Sequence, residues 1–224
     1  MRGTHTVDSD FDYRHIRVSP FRDFVNPLAP SPTKPTKGDN GDDEVTYELV
    51  HFAAQLLKAA PSALEMLFST PTMELRMMRG FTSHRAQFVD GYQVASSHLS
   101  YATAMMRDAQ KGTRPGKSVS SAIIGVNQGM MLARDPSAYQ SERLIRENHS
   151  DPFLSAETHI ALRQEDRSVI SEALTNYLPH KLSELADLRN ADEVRWRKIN
   201  HDIFQRSIYC AYQDCDRLRE GAGQ

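Results

Sequence analysis

Three aspartates near the start of the chain, Asp8, Asp10 and Asp12, stand at alternate positions. On a β-strand, alternate residues point to the same face of the sheet. Carboxylates gathered on one face repel one another unless a cation lies among them. Mg²⁺ takes oxygen ligands and keeps water and phosphate oxygens in its coordination shell. The spacing therefore indicates a site for a hard divalent cation, and the alternative is a solvated acidic turn.

The residues around these aspartates suit a phosphate ligand. Gly3 permits close approach of the backbone to a phosphate, and the hydroxyl of Thr4 can donate a hydrogen bond to one. Arg14 follows the aspartates, and its guanidinium could contact a phosphate or pair with a neighbouring aspartate. A further acidic group, residues 42–44, follows a proline-rich segment and leads into a hydrophobic stretch.

The composition is that of an ordinary soluble globular protein, and 224 residues are ample for a buried core. The net charge of −2 provides no global basic field, so a nucleic-acid contact would need a local patch. No apolar run suits a membrane helix, and the N-terminus shows no apolar signal-peptide core, so we expect a cytoplasmic protein with no membrane partner. Cys210 and Cys215 lie five apart in a predicted helix, and we expect free thiols.

Hydrophobic periodicity divides the chain into a small head and a larger helical part. Residues 15–18 alternate polar and apolar, as a half-buried strand does. Residues 27–43 hold four prolines and predict a flexible surface loop without core-forming capacity. From Glu44 onward a helical pattern is predicted, and Pro61 opens a second helix through Phe68. Further helices are predicted over residues 83–108, 117–134, 138–147, 155–177 and 191–219.

Several blocks of sequence occur in an order that resembles a known family. The run G-T-H precedes S-D-F-D-Y-R at residues 9–14, and D-x-x-x-Y-E-L-x-x-F and P-S-A-L-E-M-L-F follow. Together they resemble the predicted nucleotidyltransferases of the DNA polymerase beta superfamily, closest to the bacterial and phage branch associated with RNA repair. The resemblance covers residues 3–68 and continues more weakly over residues 81–101.

The resemblance implies an α+β fold, in which a small mixed sheet of nucleotidyltransferase type at the N-terminus packs on a larger C-terminal helical body. Residues 1–70 would form the catalytic head, with the proline-rich loop 27–43, and residues 71–224 the helical domain. Asp10 and Asp12 would be catalytic and coordinate Mg²⁺ or Mn²⁺ with a third carboxylate from the next strand. Asp43 matches the third position best, and Glu44 is the alternative.

The resemblance also implies how a nucleoside triphosphate such as ATP binds. Gly3 and Thr4 would hold its β- and γ-phosphates, Ser9 would support that turn, and Arg14 and Lys117 would add positive charge. A nucleoside monophosphate would pass to an acceptor, which could be RNA, a protein or a small molecule, and the resemblance leaves the oligomeric state open. Only residues 5–9 separate Thr4 from the aspartate pair. The family normally has several more residues here. The shorter spacing favours the alternative of a catalytically decayed nucleotide-binding or antitoxin-like module of the same fold.

Other charged residues leave two interpretations open. Glu65 could serve the site, as a Glu does at this position of the family, or form a salt bridge at the surface. Two basic clusters could hold a triphosphate or an RNA backbone through charge, or could be solvated surface. The first cluster holds Arg76, Arg79, His84 and Arg85, and the second holds Arg107, Lys111, Arg114 and Lys117.

Overall fold

The computed structural model describes residues 12–19, 33–37, 43–69, 78–112, 114–137, 139, 144–145, 150–195 and 197–222. Near the N-terminus, three strands form one mixed sheet with the order β1-β3-β2. Strand β1 pairs with β3 in parallel, and β2 pairs with β3 antiparallel. Helices follow the sheet, so the chain has a general α+β organisation, as predicted. The strands are β1 (Asp12–Arg17), β2 (Thr33–Lys37) and β3 (Asp43–Glu48).

Strand β2 corrects the prediction that residues 27–43 form only a loop. Pro35 lies inside this strand, opposite Val45. A proline cannot donate to a ladder of hydrogen bonds, and within sheets it is tolerated at an edge. Strand β2 is such an edge, because β3 is its neighbour on one side and no described strand lies on the other. Residues 27–32 and 38–42 of the predicted loop lie outside the described residues.

The first two helices complete the head. Helix α1 (Leu49–Leu57) begins five residues later than predicted, because residues 44–48 extend β3. Of the apolar face that the pattern predicts for α1, Leu49, Phe52, Ala53 and Leu56 are buried, whereas Leu57 is 41% exposed. Helix α2 (Pro61–Phe68) has the predicted bounds. Its proline lies in the first turn, where the missing N–H leaves no helical hydrogen bond unmade.

Two long helices form a hairpin in the helical body. A single helix over residues 83–108 was predicted, but the structure has α3 (Arg79–Ser83), a 3₁₀ turn (Arg85–Phe88) and α4 (Gly91–Gln110). Asp90 begins the new helix, since its carboxylate accepts a hydrogen bond from the backbone N–H of Gln93. Helix α5 (Pro115–Arg134) follows a short turn.

The C-terminal helices also depart from the predicted bounds. The helix predicted over 155–177 is interrupted at residues 164–166, where Asp166 caps the next helix. Residues 197–200 interrupt the helix predicted over 191–219, and residues 178–190 form a helix that was not predicted. Most of the helix predicted over 138–147 lies outside the described residues. The elements are α6 (Ala156–Arg163), α7 (Arg167–Glu172), a π-helical segment (Ala173–Tyr177), α8 (Leu178–Asn190), α9 (Asp192–Arg195) and α10 (His201–Ala222).

An aromatic cluster joins the head to the helical body. Phe81 lies edge-on to Phe52 of α1, with ring centroids 6.3 Å apart. Phe88 and Phe204 complete the cluster, 5.3 Å from each other. Such contacts cross residue 70, the predicted boundary between the two parts. None of the helices in the described part of the chain combines the length and apolar character needed to cross a membrane.

Candidate functional site

Two of the three predicted metal ligands begin neighbouring strands. Asp12 is the first residue of β1 and Asp43 the first residue of β3, and their Cα atoms are register partners in the parallel pair. Adjacent strands of a sheet lie about 4.8 Å apart. The backbone therefore brings these two acidic residues together. The third predicted ligand, Asp10, lies outside the described residues, two positions before β1.

The register also separates the two alternatives for the third carboxylate. Glu44 lies opposite Tyr13, one position further along the strands. Consecutive positions of a strand alternate between the two faces of a sheet. Asp43 thus lies directly opposite Asp12, whereas Glu44 lies one position further along, where residues point to the other face of the sheet.

The opposite end of the same strand pair carries opposite charges. Arg17 and Glu48, the last residues of β1 and β3, are register partners, and their side chains form an ion pair. The Ser19 hydroxyl donates a second hydrogen bond to the Glu48 carboxylate at 2.8 Å. Unlike charges opposite each other stabilise a strand pair, and like charges destabilise it. The register thus pairs two residues of like charge where the strands begin and two of unlike charge where they end.

Arg14 connects the sheet to α2. It lies two positions after Asp12 on β1, and its Nη1 donates to the Oε2 of Glu65 at 3.1 Å. The exposed fractions of the two side chains are 33% and 17%, respectively. From the sequence, Arg14 could contact a phosphate or pair with an aspartate. Glu65 could serve the site or form a salt bridge at the surface. The structure joins the two residues and places them beside the start of β1.

A second arginine contacts α2 one turn further along. The Cζ of Arg85, in the 3₁₀ turn, lies 5.3 Å from the centroid of the Phe68 ring. Arg85 forms no ion pair with the acidic side chains that the structure describes. Phe68 is buried and packs edge-on against Tyr139. The basic cluster of the sequence included Arg85, but no local spacing indicated its contact with Phe68.

Lys117 lies at the far end of the helical hairpin. Lys117 is exposed in the first turn of α5. At the last turn of the same helix, Arg197 donates hydrogen bonds to the carbonyl oxygens of Ala133 and Arg134. The backbone of Arg197 in turn accepts a hydrogen bond from Gly91, close to the aromatic cluster. At a rise of 1.5 Å per residue, Lys117 lies about 24 Å along α5 from Ala133. Helix α5 packs mainly on α4, α6 and α8 rather than on the sheet or α2, and the nucleotide contact of Lys117 stays a prediction.

Four predicted site residues, Gly3, Thr4, Ser9 and Asp10, lie outside the described residues, as does Arg76 of the first basic cluster. Among the side chains that the structure does describe, no group of three or more His, Cys, Asp or Glu residues could hold a metal ion. Comparison of the chain with protein-family models, curated proteins and solved structures finds no match. The functional proposal therefore rests on the residues of the sheet and of α2.

Proposed function

We propose that this protein is a Mg²⁺- or Mn²⁺-dependent nucleotidyltransferase whose site lies where β1 and β3 begin. The observation that carries the proposal is the register of Asp12 with Asp43. Two acidic residues directly opposite each other destabilise a strand pair unless something offsets their charge. A bound divalent cation provides that offset.

The residues at this end of the sheet fit such a cation by their chemistry. Carboxylate oxygens are preferred ligands of Mg²⁺ and Mn²⁺. Asp12 and Asp43 would hold the ion together with Asp10, and the register favours Asp43 over Glu44. When bound, the cation neutralises charge on the phosphates and lowers the pKa of a coordinated hydroxyl.

The proposed reaction transfers a nucleoside monophosphate from a triphosphate such as ATP to a hydroxyl of RNA, a protein or a small molecule. The hydroxyl oxygen forms a bond to the α-phosphorus, and the bond from that phosphorus to the bridging oxygen breaks. Pyrophosphate leaves with the electron pair, and the hydroxyl proton passes to solvent. Gly3, Thr4, Ser9 and Arg14 bind the phosphates, so that most of the rate comes from positioning and electrostatic stabilisation.

The test is incubation with the four α-labelled nucleoside triphosphates, Mg²⁺ or Mn²⁺, and RNA, protein or small-molecule acceptors. We expect wild type to transfer label, and Asp12→Asn and Asp43→Asn each to lose at least about a hundredfold in rate. Glu44→Gln is the matched control, and we expect it to retain transfer. Thermal melts without cation check folding, and we expect neither Asp variant to lose stability, because each removes one of two like charges.

The outcomes separate the candidate functions. Transfer of no label by wild type under any condition contradicts the enzymatic proposal. If calorimetry then detects binding of a triphosphate with Mg²⁺, the nucleotide-binding module, which the short spacing after Thr4 favours, takes its place. Loss of transfer in Glu44→Gln but not in Asp43→Asn would show that Glu44 is the third carboxylate.

A further inference from the structure

Two arginines from different elements meet α2 on one side of the helix. We propose that Arg14 and Arg85 together bind the polyphosphate chain of the nucleotide. The identity of the ligand rests on the proposed function, whereas the anion-binding pair rests on the contacts of α2. The family resemblance implied a nucleotide contact for Arg14, and the sequence placed Arg85 in a basic cluster that could hold a triphosphate or an RNA backbone, or be solvated surface.

The two contact points on α2 are neighbours. Glu65 and Phe68 are three positions apart, and residues with this spacing lie about 5–6 Å apart on a helix surface. Arg14 reaches Glu65 from β1 at 3.1 Å, and Arg85 reaches Phe68 from the 3₁₀ turn with its Cζ 5.3 Å from the ring centroid. Residues far apart in sequence thus bring two positive charges to adjacent turns of one helix.

Each arginine keeps hydrogen-bond donors for an anion. A guanidinium has five N–H donors in a planar fork that matches phosphate oxygens. The ion pair of Arg14 with Glu65 is made through Nη1, so its other donors can serve a second acceptor. A guanidinium over an aromatic ring keeps the N–H groups at its own edge, and the ring holds the Arg85 side chain without neutralising its charge.

The position of the pair suits a triphosphate whose α-phosphate lies at the carboxylates. Arg14 follows Asp12 by two strand positions, which is about 6.6 Å along β1. Arg85 lacks an acidic partner among the described residues, so its charge is not offset locally. An anion beside Glu65 and Phe68 of α2 would lie near both guanidinium groups. A triphosphate, with several charges along its chain, has the chemistry for this surface.

The probe is inorganic tripolyphosphate, measured by calorimetry without nucleotide or divalent cation. We expect wild type to bind it, and Arg14→Gln and Arg85→Gln each to raise its Kd by about tenfold or more, the effect of losing a hydrogen bond to a charged group. Arg85→Lys keeps the charge but not the fork, and we expect an intermediate Kd. Arg79→Gln is the matched control, because Arg79 is a neighbouring exposed arginine; we expect its Kd to stay within about threefold of wild type.

Three results would overturn this inference: no binding by wild type, an unchanged Kd in Arg85→Gln, or equal weakening in Arg79→Gln. Thermal melts of every variant separate loss of binding from loss of folding. The transfer assay distinguishes the two proposals. If wild type transfers nucleotides while Arg85→Gln binds tripolyphosphate with an unchanged Kd, the proposed function stands and the arginine pair is contradicted. If wild type transfers nothing while both arginine variants lose tripolyphosphate binding, the arginine pair stands and the proposed function is contradicted.

Discussion

The head and the helical body use their polar side chains in different ways. In the head, charged groups such as Arg14 and Arg17 are partly exposed and make ion pairs at the rim of a small sheet. The helical body also has exposed ion pairs, such as Lys111 with Asp108, but in addition it buries polar groups that bind one another, as Ser120 and His159 do across α5 and α6 at 2.7 Å. Charges that face solvent remain available to ligands, whereas buried partners hold helices in register. The buried polar pairs of the body thus have a structural role, and the proposed site lies in the head.

A chain of hydrogen bonds shows what the polar groups of the body do. Asn127 donates both to the carbonyl oxygen of Ile123 and to the Tyr177 hydroxyl, each at 2.9 Å. Tyr177 donates in turn to the Asp151 carboxylate at 2.9 Å. Burial raises the pKa of Tyr177, so its hydroxyl keeps the proton that it donates. The chain connects α5, the π-helical segment and the turn at residues 150–154, which is a structural role.

The largest expected effect breaks the close packing of the body. A Cβ added at Gly116 would lie 1.7 Å from the carbonyl oxygen of Leu162, a distance that only a backbone shift could relieve. We expect Gly116→Ala to lower the free energy of unfolding by about 3 kcal/mol or more, the upper range for overpacking. Urea denaturation measures this loss. Lys117→Ala, at the next and exposed position, is the control and should stay within about 0.5 kcal/mol of wild type. Equal stability of Gly116→Ala and wild type would show that α5 and α6 do not pack this closely.

The next effect concerns a buried histidine. His98 is fully buried in α4, with its Nδ1 2.8 Å from the carbonyl oxygen of Val94. Burial lowers the pKa of His98 from 6.5 to about 4. The unfolded chain therefore binds the proton more readily between these values, so stability is complete above pH 6.5 and falls as the pH drops towards 4. We expect the free energy of unfolding to fall by about 2 kcal/mol between pH 7 and pH 5 from this group.

Denaturation at a series of pH values, in wild type and in His98→Leu, isolates this contribution. The variant removes the titrating group, and we expect its stability to change less over the same interval. His201→Leu, which replaces an exposed histidine, should keep the pH dependence of wild type. Parallel pH profiles for wild type and His98→Leu would contradict the prediction.

The sequence predicted those parts of the fold that depend on local pattern. The bounds of α2 and the buried stripe of α1 follow from a period of 3.6 residues, which burial of one helix face enforces. Helix α8 was missed although Leu178, Leu182 and Leu185 repeat with helical spacing. Pro179 lies in the first turn of α8, a position that tolerates proline, and a π-helical segment directly precedes this helix.

For the candidate site, the sequence indicated residue types but not their pairings. Alternate aspartates indicated a cation, yet the register that sets Asp43 rather than Glu44 against Asp12 depends on how two strands align across the sheet. The same limit applies to Arg14 with Glu65, which are 51 positions apart. Tertiary packing selects such partners, and no spacing within either segment records them.

The smallest expected effect concerns an exposed ion pair of the head, which we compare with the buried polar groups of the body. Arg17 pairs with Glu48, but 57% of its side chain is exposed, and an exposed ion pair contributes about 1 kcal/mol or less. In Arg17→Gln, Glu48 keeps the hydrogen bond from Ser19, which limits the loss further. Urea denaturation at low salt and in 1 M NaCl should show a small difference from wild type that shrinks with salt, since salt screens exposed charges. A loss of several kcal/mol that salt leaves unchanged would mean that the head buries its charges as the body buries its polar groups, and the contrast between them would fail.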